Sequence, residues 1–437
     1  MKKIVVFGLL SILLISSYFL FFGRVPAPKA NDAPKTSWSK TYGGTGIDYL
    51  ESMVQTSDGG YAMIGSTQTI ADDGHGIEIN VWLVKIDSNG NLQWSQTYGR
   101  TNRETGSCVI QTSDGGYALA GFTDPFTGNT NAWLVKIDSN GNLQWNQTYG
   151  GLGEEFVWSL VQTNDEGYAL AGYTDSFGAG DIDFWLAKID SSGELQWSQT
   201  YGGIESDYGR FVVQTKDGGY ALVGRSLRAT KVEAQLVKID SNGNLQWNQT
   251  YGGTGMMLGE SVVETSDGGY ALLVDINSFD DKLLLDFSLV KTDSSGELQW
   301  SQTYGGTNRE SGSCVIQTSD GGYAIIGSTL SFGAGGSDMW LVKMDSIGTL
   351  QWSQTYGGAD WDTGNSVVQT SDGGYVIAGN TRSFGAGVDD FYLVKVGGGP
   401  SDFSDGMLEE QTVWFLAIVV VIVFVAVGII LFKIRKR

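Results

Sequence analysis

Histidine and cysteine are nearly missing from this chain: among 437 residues there is one His and there are two Cys. So few ligating side chains exclude a His or Cys metal cluster, a haem attachment site and a disulfide framework. Cationic residues are scarce too, 27 Lys plus Arg against 48 Asp plus Glu, and the net charge of −21 argues against a nucleic acid or other polyanion as partner. Charged residues make up only 17%, too few for a disordered acidic tail or a coiled coil. In their place stand 63 glycines and 12% aromatics, a composition of strands and tight turns.

Residues 1–30 read as an export signal or an N-terminal membrane anchor. Lys2 and Lys3 precede an uncharged stretch from Ile4 to Phe22, followed by Gly23, Arg24 and the run Pro26-Ala27-Pro28. Nineteen residues are long for a signal core and just enough to span a bilayer, so cleavage and retention both stand open. From Val413 to Phe432 run 20 uncharged residues, flanked by Trp414 on one side and by Lys433, Arg435, Lys436 and Arg437 on the other. An interfacial Trp and a basic cap fit a transmembrane helix at 413–432 with a cytoplasmic tail at 433–437. The expected localisation is the cell membrane, with the middle of the chain outside. That middle divides into a linker at 31–37, a repeat domain at 38–396 and a Gly/Ser/acidic stalk at 397–412.

The repeat is marked by Thr-Tyr-Gly, whose Tyr falls at 42, 98, 149, 201, 251, 304 and 356, spacings of 50 to 56 residues. Such a period suggests propeller blades. Residues 157–203 illustrate four β runs: Val161–Thr163 (strand a), Tyr168–Thr174 (b), Phe184–Asp190 (c) and Leu195–Tyr201 (d), separated by Asp/Asn/Ser/Gly turns. The expected fold is all-β, a seven-bladed propeller of four-stranded antiparallel blades. Strand d has its Trp seven times, at Trp38, Trp94, Trp145, Trp197, Trp247, Trp300 and Trp352, and the first precedes any strand a. The last unit stops after strand c, at Tyr392–Val396. Residues 38–42 are therefore expected to complete the last blade and close the ring, which removes two exposed sheet edges.

Units carrying Tyr-Gly-Gly, an acidic loop, then Asp-Gly-Gly-Tyr with a Gly shortly after, as in Asp114-Gly-Gly-Tyr-Ala-Leu-Ala-Gly121, resemble the seven-bladed propeller-repeat proteins secreted by bacteria and archaea. The resemblance covers residues 38–396 and implies a binding or surface module. The turn from Asp87 to Trp94 also looks like the Trp-docking turn of quinoprotein-like propellers, but is one residue shorter, so a pyrroloquinoline quinone is not carried over. Nor do these turns match the Asp-box of sialidases.

The repeated residues read as architecture. Identical placement of Trp in every blade favours packing between sheets over a carbohydrate ladder. Lys85, Lys136, Lys188, Lys238, Lys291, Lys343 and Lys395 should each find a carboxylate, because an unpaired buried ammonium is costly. The Asp-Ser-Asn-Gly-Asn turns fit hairpin chemistry better than calcium loops. Cys108 and Cys314, placed just before strand a in units 2 and 6, are expected to be free, buried thiols. Asn146 and Asn248 open N-glycosylation sequons.

Chain direction places both termini on the face of the tight turns, so the b-to-c and d-to-a loops face away from the membrane. Candidate binding residues there are Asp48, Glu104, Glu154, Glu155, Asp207, Glu310, Asp360 and Asp362, with Trp158 and Trp361 among them. Glu51 and Glu260 belong to the same acidic loops. Such a ring would concentrate a divalent cation or a basic partner; the other reading is a solvated rim. Unit 4 departs with Arg210, Arg225, Arg228 and Lys231, and unit 1 with the loop around His75. No cofactor is expected, calcium alone being left open. The functional expectation is a surface recognition or scaffold module for a protein or glycan, with enzymatic activity left open. Its rivals are a glycan hydrolase or lyase using Asp360, Asp362, Glu154 and Glu155, and a structural surface-layer component.

Overall fold

The computed structural model describes residues 33–397, apart from 71–76, 100–103, 124–129, 229–230, 254 and 278–284. The expected export signal or N-terminal anchor, nearly all of the expected stalk, the expected membrane helix and tail, and His75 lie outside the described residues. Twenty-eight strands form seven antiparallel four-stranded sheets, and among the described residues there is no helix. Blade 3 is typical: Glu155–Gln162, Tyr168–Thr174, Asp183–Ile189 and Leu195–Tyr201, paired in that order.

The ring closes as expected. Thr36–Tyr42 pairs antiparallel with Asp390–Val396 and becomes the fourth strand of blade 7. The pairing runs two residues further than the sequence implies, and Gly397 N donates to Lys35 O at 2.9 Å beyond it. Because Thr36 lies opposite Val396, the described chain enters and leaves on the face of the a-to-b and c-to-d turns.

Each sheet is covered on both sides by its neighbours, which is why strands b and c read as apolar without alternation. Every residue of Tyr117–Phe122 and Ala132–Ile137 is buried, whereas the outer strand Leu143–Tyr149 is mostly exposed. The core is divided into layers between blades: Leu134 of blade 2, for example, shares a cluster with Val157, Leu160 and Leu170 of blade 3.

Three repeated devices join one blade to the next. Trp94, Trp145, Trp197, Trp247, Trp300 and Trp352 each meet edge-on the strand-b Tyr of the following blade, with ring centroids 5.8–6.3 Å apart. The Tyr of Thr-Tyr-Gly donates its hydroxyl to the c-to-d turn glycine of the following blade, as from Tyr149 to Gly193 O at 2.8 Å. That glycine must lack a side chain: Gly193 has φ +92°, and a Cβ on it would press on Trp145 at 3.1 Å. Finally, strand-end amides reach across, Ser113 N donating to Gln162 Oε1 at 2.9 Å.

Within each blade the repeated Lys is buried and paired with the Asp of the a-to-b turn. Lys85–Asp58, Lys136–Asp114, Lys188–Asp165, Lys238–Asp217, Lys291–Asp267, Lys343–Asp320 and Lys395–Asp372 all lie at 2.8–2.9 Å. Against the upward pull of partial burial, hydrogen bonds from the Lys and from the Thr of the same turn hold Asp58, Asp114, Asp217 and Asp267 down to about 2. The Asp87 carboxylate accepts the amides of Asn89 and Asn91 at 2.9 and 2.8 Å, a hairpin turn with no ion required.

Strand a departs from expectation. It begins at Glu155, not Val161, and carries a bulge: Val157 faces Gly172 while Ser159 faces Ala171, leaving Trp158 extra. All seven innermost strands share this bulge. It breaks the period-two alternation, so the first half of each strand looks like loop in the sequence. Cys108 and Cys314 consequently sit inside strand a, and both are free; Cys108 is buried as expected, but Cys314 is only half-buried.

Candidate functional site

The acids at the start of strand a do not form a solvent-facing ring. Asp48, Glu104, Glu155, Asp207, Glu310 and Asp362 are all 0–3% exposed. Five of them clamp the preceding turn, accepting the amides of Gly44, Gly151, Gly203, Gly306 and Gly358 at 2.7–2.9 Å. The other glycine of Tyr-Gly-Gly makes room: a Cβ on Gly202 would sit 2.0 Å from Asp183 Oδ1 and 2.7 Å from Asp207 Oδ2. Gly357 stands likewise between Asp338 and Asp362, and Gly43 between Asp390 and Asp48. Two buried carboxylates thus meet at three blade seams. Burial, with Asp362 close by, pushes the Asp338 carboxyl up to about 6.

The remaining predicted residues scatter. Asp360 and Trp361 are exposed at one loop tip, where the Asp360 amide donates to Ser383 Oγ at 3.0 Å. Glu154 is half-buried. Arg228 and Lys231 are exposed and face each other across the blade-4 hairpin. Asn146 and Asn248 lie on outer strands, the first half-buried and the second exposed. Among the described residues no group of three or more His, Cys, Asp or Glu could hold a metal ion.

Trp158 and Arg225, by contrast, come together, and the bulge explains how. The extra residue of each innermost strand is Glu51, Ser107, Trp158, Arg210, Glu260, Ser313 or Asn365 in blades 1 to 7. These seven positions circle the axis on the loop face. Within blades 3 to 5 they line a cavity of about 300 Å³ bounded by Trp158, Tyr173, Tyr208, Arg210, Arg225 and Glu260. Phe122, Phe156, Trp158, Tyr173 and Tyr208 form one aromatic wall, with ring centroids 4.9–6.5 Å apart. Arg210 lies 4.4 Å over the Trp158 ring and Arg225 lies 4.5 Å over that of Tyr208.

Charge is distributed unevenly around this mouth. Arg210 Nε pairs with Glu260 Oε2 at 3.3 Å. Burial raises the Glu260 carboxyl above its ordinary range, opposed by Arg210 and Arg225. Asp275, next to it in blade 5, is pushed up to about 7 by burial and by Glu260, although it accepts Gly312 N and Ser311 Oγ, each at 2.8 Å. Across the axis, burial also pushes Glu51 up to about 7, with Arg210 pulling it down. Glu51, Arg210 and Glu260 were visible as charged residues in variable segments. What the sequence hid was the bulge that brings them to one circle.

No protein-family model matches the chain. A curated relative, the regulatory protein FlaEY of Caulobacter vibrioides, is 24% identical over 249 residues, 48% of this chain and 26% of that protein. The chain thus matches about a quarter of that relative's length. Among solved structures, an ulvan lyase, a polysaccharide lyase, superposes with a TM-score of 0.53 at 8% identity, covering 82% of this chain and 96% of the lyase. YCF48 bound to a D1 peptide gives 0.50 at 11% identity, covering 85% and 99%. At these identities the likeness to solved structures establishes the seven-bladed propeller fold alone.

Proposed function

We propose that the chain is a membrane-anchored recognition module that presents the bulge-lined mouth of its propeller away from the cell. The observation that carries this reading is where the repeat fails. Blade bodies and latches recur, but the bulge position varies among Glu, Ser, Trp, Arg and Asn, and three consecutive bulge residues, Trp158, Arg210 and Glu260, border one cavity. The two apolar segments of the sequence supply the anchoring, and the closure strand sets the orientation. One propeller neighbour is a polysaccharide lyase and another is bound to a peptide, so fold alone does not choose between glycan and protein. Screening the full chain against glycan and peptide arrays tests the reading. Saturable binding that Trp158→Ala abolishes supports it, and binding unchanged by that substitution refutes it.

A second reading is glycan cleavage, now centred on different acids. Glu155 and Asp362 are committed to turn clamps, whereas Asp275, pushed up to about 7 by burial and by Glu260, is the carboxyl suited to act as a general acid near neutral pH. Release of reducing ends or unsaturated products from a polysaccharide, lost in Asp275→Asn, would favour this over pure recognition.

A further inference from the structure

We infer that the cavity between blades 3 and 5 takes a sugar bearing one carboxylate, a uronic acid in an otherwise neutral glycan. The inference rests on the recognition reading above and adds the ligand's chemistry. Of the two guanidinium groups in the cavity, Arg210 is neutralised by Glu260 at 3.3 Å. Arg225 is different: it acts on Glu260 only from a distance, makes no ion pair within 4 Å among the described residues, and has its guanidinium carbon 4.5 Å from the centre of the Tyr208 ring. The ring contact anchors the guanidinium at the cavity wall, where its paired N–H donors suit a planar, two-oxygen acceptor. Trp158, Tyr173 and Tyr208 border the cavity and give it the aromatic lining against which the C–H groups of a sugar ring pack.

Two further observations narrow the class. The chain carries a net charge of −21, so a long polyanion is repelled at a distance while one carboxylate is admitted at a locally cationic spot. The cavity, at about 300 Å³, has the volume of a ring-sized group. An extended acidic peptide would need an open strand edge to pair with, and the inner edges here are interrupted by bulges in all seven blades.

The test is calorimetric titration of the full chain with cellobiouronic acid, cellobiose, polygalacturonate and an Asp/Glu pentapeptide. The expected result is saturable binding of cellobiouronic acid at least tenfold tighter than cellobiose, lost at least tenfold in Arg225→Gln and partly kept in Arg225→Lys. Melting temperatures of both variants should match the parent. Equal binding of both disaccharides, or an unchanged Arg225→Gln, would overturn the carboxylate inference while recognition stands. Tighter binding of the peptide or of polygalacturonate would overturn the ligand class. No binding of any probe, together with a blank glycan and peptide array, would bring down the recognition reading itself.

Discussion

Tyr356 shows how far a single residue in this protein is set by its blade. In blades 1 to 5 and in the closing strand, the equivalent Tyr hydroxyl donates to a turn glycine of the next blade, as Tyr98 does to Gly141 O at 2.8 Å. The blade after Tyr356 is the closed one, whose fourth strand comes from the other end of the chain, so it has no such turn. The Tyr356 hydroxyl is accordingly buried without a partner. A buried unmade hydrogen bond costs on the order of 1–3 kcal/mol, whereas a made one contributes about 1 kcal/mol. Tyr149→Phe should therefore destabilise by about 1 kcal/mol, and Tyr356→Phe should be neutral or stabilising. Chemical denaturation of the two variants checks the opposite signs. The Tyr repeat was plain in the sequence; the odd member was not, because its missing partner is a consequence of closure.

At the level of elements, the seams between blades carry the information that sequence patterns blurred. Strands b, c and d were legible to within a residue because b and c are almost uniformly buried and d repeats Leu-Gln-Trp and Thr-Tyr at fixed places. Strand a was not, since its bulge shifts the alternation halfway along, and acids at its buried start read as loop acids. Their pairing has a pH signature. The folded Asp338 carboxyl, at about 6, lies above an unfolded value near 4, so the native state holds more protons between those values and stability falls as pH rises through that window. Blades 1 and 2 solve the same crowding with an amide, Asn80 beside Glu104 and Asn131 beside Glu155. Asp338→Asn should thus match the parent at pH 4 and melt several degrees higher at pH 7. Equal melting temperatures at both values would contradict the acid-pair account.

For the whole molecule, closure by Thr36–Tyr42 makes the seven blades one cooperative unit, because every sheet is covered on both faces only when the ring is shut. Deleting residues 36–42 exposes the edge of Asp390–Val396 in blade 7 and should broaden the melting transition and lower its midpoint by more than about 10 °C. A sharp, unshifted transition would count against it. This closure was readable from the strand count alone, since a Trp-bearing strand precedes the first blade and the last blade lacks one. The candidate site was not, since it depends on three bulge residues of three blades meeting at the axis.

The recognition proposal puts function where the repeat breaks and stability where it holds, and one variant separates the two. Replacing Trp158, Arg210 and Glu260 together by Ser installs the residue that blades 2 and 6 already carry at their bulges, Ser107 and Ser313. The account predicts a melting temperature within about 5 °C of the parent and no measurable binding of cellobiouronic acid in the same titration. A variant that unfolds, or one that binds as the parent does, would contradict it.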